Sequence, residues 1–362
     1  MTGNYTGNLI DYILKRNQEQ SEAFCGSSAR LARTIYRAQF PTEFAALKCM
    51  DGRLNLALFT ETPTGIIQPF RNIGGKFDLG WPFFAESIKA WVNYCAERGR
   101  NTVFLVTYHF SRGKKERGCA GWNYDTDSAR ASAFSLARQV EEVFGASPRI
   151  VYPIVIGLET DNESLVLHGS ADQVIDLSTL KTTDGLEDLI RGLYPDMPSH
   201  IVRDFFQLLK GNINHIEEVR RSDRPPIDLE HREQIIAVGR GFDWLHIPNK
   251  ALIIGPYSHE WPDAVATAGK IILGNLASGR IPHQEGVLLL VAAMSRDQEG
   301  SFGWNLAKEK AQYLESVCQK VLNDRVPELK QCLKVLSGVT FADTRKFHVL
   351  SNNQSEKAHH CY

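Results

Sequence analysis

Cys49, Asp51 and Arg53 close an apolar run as Cys49-Met50-Asp51-Gly52-Arg53, and a later apolar run carries His109 and then Cys119. Two thiols and one imidazole form a ligand set for zinc that leaves the fourth tetrahedral position open to water. Catalytic zinc keeps such an opening, whereas structural zinc is usually closed by four protein ligands. Asp51 and Arg53 follow the first candidate ligand by two and four residues, a spacing at which they can pair beside the metal. The constellation points to a zinc-hydroxide enzyme.

The flanking sequence supplies elements to hold these groups. Residues 44–49 and 103–108 are short and mostly apolar, and read as buried strands ending near Cys49 and His109. Between them, residues 81–98 read as a helix, with Phe84, Ile88, Trp91, Val92 and Cys95 on one face and Gly99 as its C-cap. A second helix is expected over 127–144, with Asp125 or Asp127 as N-cap and Gly145 as its stop. Residues 149–157 and 164–167 supply further strands. Strands alternating with helices imply crossover connections and a largely parallel sheet, so the fold class is α/β. Residues 180–235 read as helical and charged, with a boundary at Ser222-Asp-Arg-Pro-Pro226.

The chain also repeats itself in register. Trp81-Pro82 and Gly99-Arg100 recur as Trp261-Pro262 and Gly279-Arg280, and residues 103–112 recur as 287–296. Cys119-Ala-Gly-Trp-Asn123 recurs as Ser301-Phe-Gly-Trp-Asn305. In this register His109 corresponds to Ala293 and Cys119 to Ser301, and residues 251–255 fall where 45–49 would. The reading is an internal duplication whose second half kept its scaffold and lost every ligand, giving a built-in pseudo-dimer with a single zinc.

Bulk properties narrow the function classes. With 41 basic and 42 acidic residues the net charge is −1, which offers no electrostatic case for binding nucleic acid or an anionic membrane surface. The apolar runs fall far short of the roughly 18 residues of a membrane span. The first residues lack a basic segment followed by an apolar one, so secretion is not expected. Seven scattered cysteines point to reduced thiols and a cytoplasmic location.

Cys-x-Asp-x-Arg, followed by a strand carrying His and then Cys, resembles the β-class carbonic anhydrases. Arg71-Asn72-Ile73-Gly74 is similar to that family's Arg-Asn-x-Gly segment, and Ser87-Ile88 matches in the following helix. Ordinary members carry His-x-x-Cys, whereas His109 and Cys119 are ten apart. That stretched spacing and the degenerate second half resemble the carboxysomal shell carbonic anhydrase subgroup, over roughly residues 40–350. The resemblance implies one Zn²⁺ per chain on Cys49, His109 and Cys119, with Asp51–Arg53 as catalytic dyad. It further implies interconversion of carbon dioxide and bicarbonate by zinc-hydroxide attack. Two thiolates cancel the charge of Zn²⁺, so the water pKa of about 7 belonging to three-histidine carbonic anhydrase does not transfer. Within the family, a dyad aspartate released by its arginine can itself become the fourth ligand. The implied organisation is a short N-terminal helical extension (1–40), a zinc-containing catalytic domain with helical connector (41–226), a degenerate carbonic-anhydrase-like domain (227–350) and a flexible tail (351–362). Homodimers or higher oligomers of pseudo-dimers are implied as well. The long N-terminal region of the subgroup is reduced here to about 40 residues, which leaves carboxysome association possible but unsupported.

Plainer readings compete at each position. Cys49 and Cys119 taken alone are buried inert thiols, and Asp51–Arg53 is a structural ion pair. Cys25, Cys95, Cys318 and Cys332 read as core or helix-face residues, and His359-His360-Cys361 as a solvated end. His259 is either a surface histidine or a proton relay or lining residue of the site. Arg112-Gly-Lys-Lys-Glu-Arg117 is either a solvated loop or a gate that attracts bicarbonate. The competing functions are hydrolysis of carbon disulfide or carbonyl sulfide on the same fold, and a non-catalytic zinc-bearing scaffold.

Overall fold

The structure, a computed structural model, describes residues 8–146, 149–170, 173–222, 224, 229–242, 247 and 249–353. In chain order its elements are α1 (Leu9–Cys25), α2 (Ser27–Gln39), β1 (Glu43–Cys49), α3 (Leu56–Phe59), β2 (Ile67–Asn72), α4 (Pro82–Ala96), β3 (Thr102–Phe110) and α5 (Thr126–Phe144). There follow β4 (Val151–Glu159), β5 (Ser164–His168), β6 (Val174–Asp176), α6 (Leu186–Leu193), α7 (Ser199–Arg221), β7 (Ile235–Val238) and β8 (Ala251–Ile254). The last are α8 (Trp261–Ala277), β9 (Val287–Ser295), α9 (Phe302–Arg325), β10 (Leu333–Phe341) and β11 (Phe347–Asn353). The chain folds as two compact units, one of Ser28–Glu230 and one of Met1–Ser27 with His231–Tyr362. The tail string His359-His360-Cys361 lies outside the described residues.

In the unit Ser28–Glu230 the strand order is β2-β1-β3-β4-β5-β6. The first four strands run parallel, and β5 and β6 continue antiparallel. β1 is buried at every position, because a parallel sheet is covered on both faces by its crossover helices. α5 starts where the Asp125 carboxylate accepts the backbone N–H of Asp127 (3.0 Å) and of Ser128 (3.2 Å). α4 begins with Pro82, whose missing N–H costs nothing in a first turn. From β1 the chain passes to β2 on one side, while β3 lies on the other. This reversal of direction leaves a crevice beyond the carboxyl ends of β1 and β3, the place where open α/β sheets bind ligands.

The other unit has the order β11-β10-β9-β7-β8, with β8, β7, β9 and β10 parallel and β11 antiparallel. Read from β8, it reproduces the order and sense of β2-β1-β3-β4-β5. Residues 251–255, expected where 45–49 would fall, do not take that place in the sheet. Residues 251–254 form the edge strand β8, in the place of β2, and Ile235–Val238 takes the place of β1 between β8 and β9. A four-residue apolar run at the end of a helical stretch carries no period by which sequence could tell strand from helix. α1 packs in this unit: Leu9, Ile10 and Ile13 join Ile235, Ala237, Leu288 and Leu290 in one core. Asn17, buried in that helix, donates to the Arg345 carbonyl (2.9 Å) and accepts the Phe347 N–H (2.9 Å). Among the described residues no helix is long and apolar enough to cross a membrane.

Candidate metal centre

The centre is built from the carboxyl ends of the parallel strands. Cys49 is the last residue of β1, opposite Asn72 at the end of β2. His109 lies one residue from the end of β3, and Cys119 follows on the loop beyond that strand. The two sulfurs are 3.8 Å apart, and one donor atom from each of the three residues falls within 4.8 Å of the others. All three side chains are buried. The Cys49 thiol is held well below the usual range, first by the hydrogen bond from Cys119, while Cys119 is pushed well above it by the same bond and by burial.

The decisive observation concerns His109. Neither Nδ1 nor Nε2 of this buried ring has a hydrogen-bond partner. Leaving a buried polar atom unpaired costs about 1–3 kcal/mol, so such an atom asks for an explanation. Two soft sulfurs and an unpaired imidazole within 4.8 Å are the donor set that zinc takes, and the residues present fit it.

Beside the ligands, Asp51 and Arg53 form a buried pair. Arg53 Nη2 lies 2.5 Å from Asp51 Oδ2, and its Nε donates to both carboxylate oxygens at 3.0 and 3.1 Å. The Arg53 backbone N–H adds a bond to Oδ1 at 2.9 Å. The guanidinium is itself anchored, Nη1 to the Leu229 carbonyl (2.6 Å) and Nη2 to the Arg117 carbonyl (2.9 Å). A planar guanidinium can make these contacts at once, which a lysine ammonium cannot.

Arg71 and Asn72, singled out for their segment, hold the backbone around the centre. Arg71 donates to the carbonyls of Asp51 (2.9 Å) and Leu54 (3.1 Å), fixing the turn that carries the dyad. Lys48, also buried, donates to the same Leu54 carbonyl at 2.7 Å. Asn72 accepts from Ile73 N–H and donates to the Lys76 carbonyl, which turns the chain back at the end of β2. Gly74 sits at φ 59°, where a Cβ would come within 2.7 Å of Trp122 Nε1, and Trp122 donates to the Gly74 carbonyl at 2.8 Å. The β2 turn thus docks against the short turn that follows Cys119.

The structure brings Cys49, His109, Cys119, Asp51 and Arg53 together. His259 belongs to the other unit, follows β8, is two-thirds exposed and pairs with Glu260 at 3.8 Å. In the loop between the two later ligands, residues 112–116 are exposed. Cys95, Cys318 and Cys332 are buried, with burial pushing the Cys95 thiol up to about 12. Sequence reasoning missed Asp161, which bonds the loop between His109 and Cys119 from 50 residues away. No local spacing signals it.

No protein-family profile matches the chain. Curated proteins do. The carboxysome shell carbonic anhydrase of Prochlorococcus marinus (strain MIT 9313) is 25% identical over 56% of this chain and 45% of its own length. That of Prochlorococcus marinus subsp. pastoris is 27% identical over 56% and 46%, and that of Hydrogenovibrio crunogenus 23% identical over 56% and 45%. The match spans about half the length of these curated relatives. By sequence, this chain is related to the carboxysome shell carbonic anhydrases.

Proposed function

We propose that this chain is a zinc-dependent carbonic anhydrase that interconverts carbon dioxide and bicarbonate. The observation that carries the reading is the buried Cys49–His109–Cys119 cluster, with both imidazole nitrogens unpaired, beside an arginine-held carboxylate. Zinc held there would supply a water acidified enough to act as nucleophile. The remaining work falls to the chain's own residues. Arg53 fixes the Asp51 carboxylate through three contacts to its side chain, so its orientation beside the ligands is set before substrate arrives. Asp51, held beside the ligands, would accept a hydrogen bond from that nucleophile and so orient it. Arg53 also keeps Asp51 from becoming a ligand itself. Burial of both members strengthens this arrangement, since few waters compete for the same contacts.

The second unit is proposed to be a degenerate copy of the first. Its sheet has the same order and sense, and the repeat fixes the register. Leu47 lies opposite Val106 and Ala237 opposite Leu290, which makes Gly239 the counterpart of Cys49. Gly239 sits at φ 102°, and a Cβ there would lie 1.8 Å from the Ala292 carbonyl oxygen. Ala293, the counterpart of His109, packs in a small apolar core with Trp304, Ala307, Ala311 and Val339. The ligand positions have been filled in by packing.

Stopped-flow hydration of carbon dioxide by the zinc-loaded chain tests the function, run beside hydrolysis of carbon disulfide and carbonyl sulfide. Hydration well above buffer supports the reading. Turnover of the sulfur compounds alone, or of nothing while zinc is bound, contradicts it.

A further inference from the structure

His109 and Cys119 rest on different supports. His109 stands in β3 and is fixed by the ladder to β4, where it lies opposite Leu158. Cys119 stands ten residues on, past a stretch whose residues 112–116 are exposed. A loop of that kind does not place a ligand by itself, since its backbone has no ladder to lock it. Something outside the loop has to.

The β2 turn, docked on Trp122, steadies the chain just past Cys119; the stretch before it is held by the carboxylate of Asp161, in the turn that follows β4. Its Oδ2 accepts from Ser111 Oγ (2.7 Å) and from the Gly113 backbone N–H (2.8 Å). Its Oδ1 faces Arg117 Nη1 at 3.3 Å, with both side chains largely buried. Ser111 Oγ in turn accepts the Lys114 N–H at 3.0 Å, so one carboxylate organises the loop from its first residue to its last turn. Asp161 is placed by Glu159, the fully buried last residue of β4, which accepts the Asp161 N–H at 2.9 Å. The loop also reaches the dyad, because the Arg117 carbonyl accepts from Arg53 Nη2.

We propose that Asp161 is a positioning residue for the metal centre: it clamps the loop between the ligands, and through that loop fixes both Cys119 and the guanidinium that holds Asp51. The proposal rests on the metal-centre reading above. Asp161 touches neither the ligands nor the dyad, and acts only through residues 111–117.

The test uses the full chain, with Zn²⁺ titrated against a chromophoric chelator and iodoacetamide alkylation of the metal-free protein resolved by cysteine. Asp161→Ala is expected to weaken zinc binding about tenfold or more, the usual effect of removing a residue that orients a ligand. It is also expected to speed alkylation of Cys119 while Cys49, held in β1, and Cys95, on α4, stay protected as in the parent. Asp161→Asn keeps one acceptor for Ser111 and Gly113, and recovers most of both. Asp176→Ala, which removes the partly buried partner of the exposed Arg112 on the same loop, leaves both within twofold. Unchanged zinc affinity and Cys119 reactivity in Asp161→Ala overturn the proposal, as does an equal effect from Asp176→Ala. Should Asp161→Ala fail to fold, seen as loss of Cys95 protection, Ser111→Ala takes its place, because it breaks the same clamp from the loop side: weaker zinc binding and faster Cys119 alkylation support the proposal, and parent values overturn it. Zinc binding without hydration of carbon dioxide would sink the proposed function and leave this clamp standing. If the parent bound no zinc, the alkylation contrast would still read the clamp.

Discussion

Replacing Arg53 by alanine tests the dyad in the metal-free chain, where no ligand chemistry intervenes. The substitution removes three contacts to Asp51 side-chain oxygens and keeps the bond from the residue 53 backbone N–H at 2.9 Å. The Asp51 carboxylate is 3% exposed and cannot recover its hydration. Breaking a buried ion pair costs about 3–5 kcal/mol. The remaining backbone bond places this one near the low end, about 3 kcal/mol, or roughly a hundredfold in the opening equilibrium. Asp51→Asn combined with Arg53→Ala removes the buried charge as well, and should recover about 2–3 kcal/mol through coupling. A chain of two units need not unfold in one step, so hydrogen exchange over residues 43–54 is the proper readout. A change below about 1 kcal/mol, with no coupling to Asp51, would mean a pair worth no more than an exposed one and would refute the reasoning.

Gly74→Ala forces a side chain onto φ 59° and into Trp122, so it should cost at least about 1 kcal/mol and alter tryptophan emission; unchanged urea unfolding and emission would contradict this. Gly239→Cys should destabilise the second unit without adding a zinc, because its Cβ meets the Ala292 carbonyl; a second equivalent of zinc would refute the filled-in copy. Glu163 accepts from His215 at 2.6 Å and pairs with Arg224. Although burial pushes its carboxyl up, those partners outweigh it and hold the pKa below that of a free glutamate, about 4.3. The unfolded chain then binds the extra proton, so this stability is complete above about pH 4.3 and is lost as pH falls through the lower folded value. Glu163→Gln should flatten that acid limb of the melting temperature, and an unchanged limb would show that the pairing contributes nothing.

Much of the site was legible because its residues sit on strongly patterned elements. Cys49 closes a seven-residue buried strand and His109 stands in one of nine, and both strands announce themselves as apolar runs. The caps of α5, Asp125 and Gly145, were readable from residue type alone. β2 was not, since Pro69 and Arg71 interrupt its apolar pattern, and Arg71 turns inward to bind the dyad turn. β7 was lost in a helical stretch for want of length. α1 read as a lead-in, yet Asn17 and Ser21 bond the carbonyls of Arg345 and Thr344, partners more than 300 residues away. Asp161 was hidden for the same reason: a clamp across 50 residues of sequence leaves no spacing to notice.

X-ray absorption at the zinc edge, on the full chain with metal content measured alongside, tests the central claim most directly. The account predicts one zinc per chain with two sulfur neighbours, one imidazole nitrogen and one further light atom, lost together in Cys49→Ser or Cys119→Ser. Zinc bound elsewhere, a four-sulfur shell, or unaltered binding in those variants would contradict it.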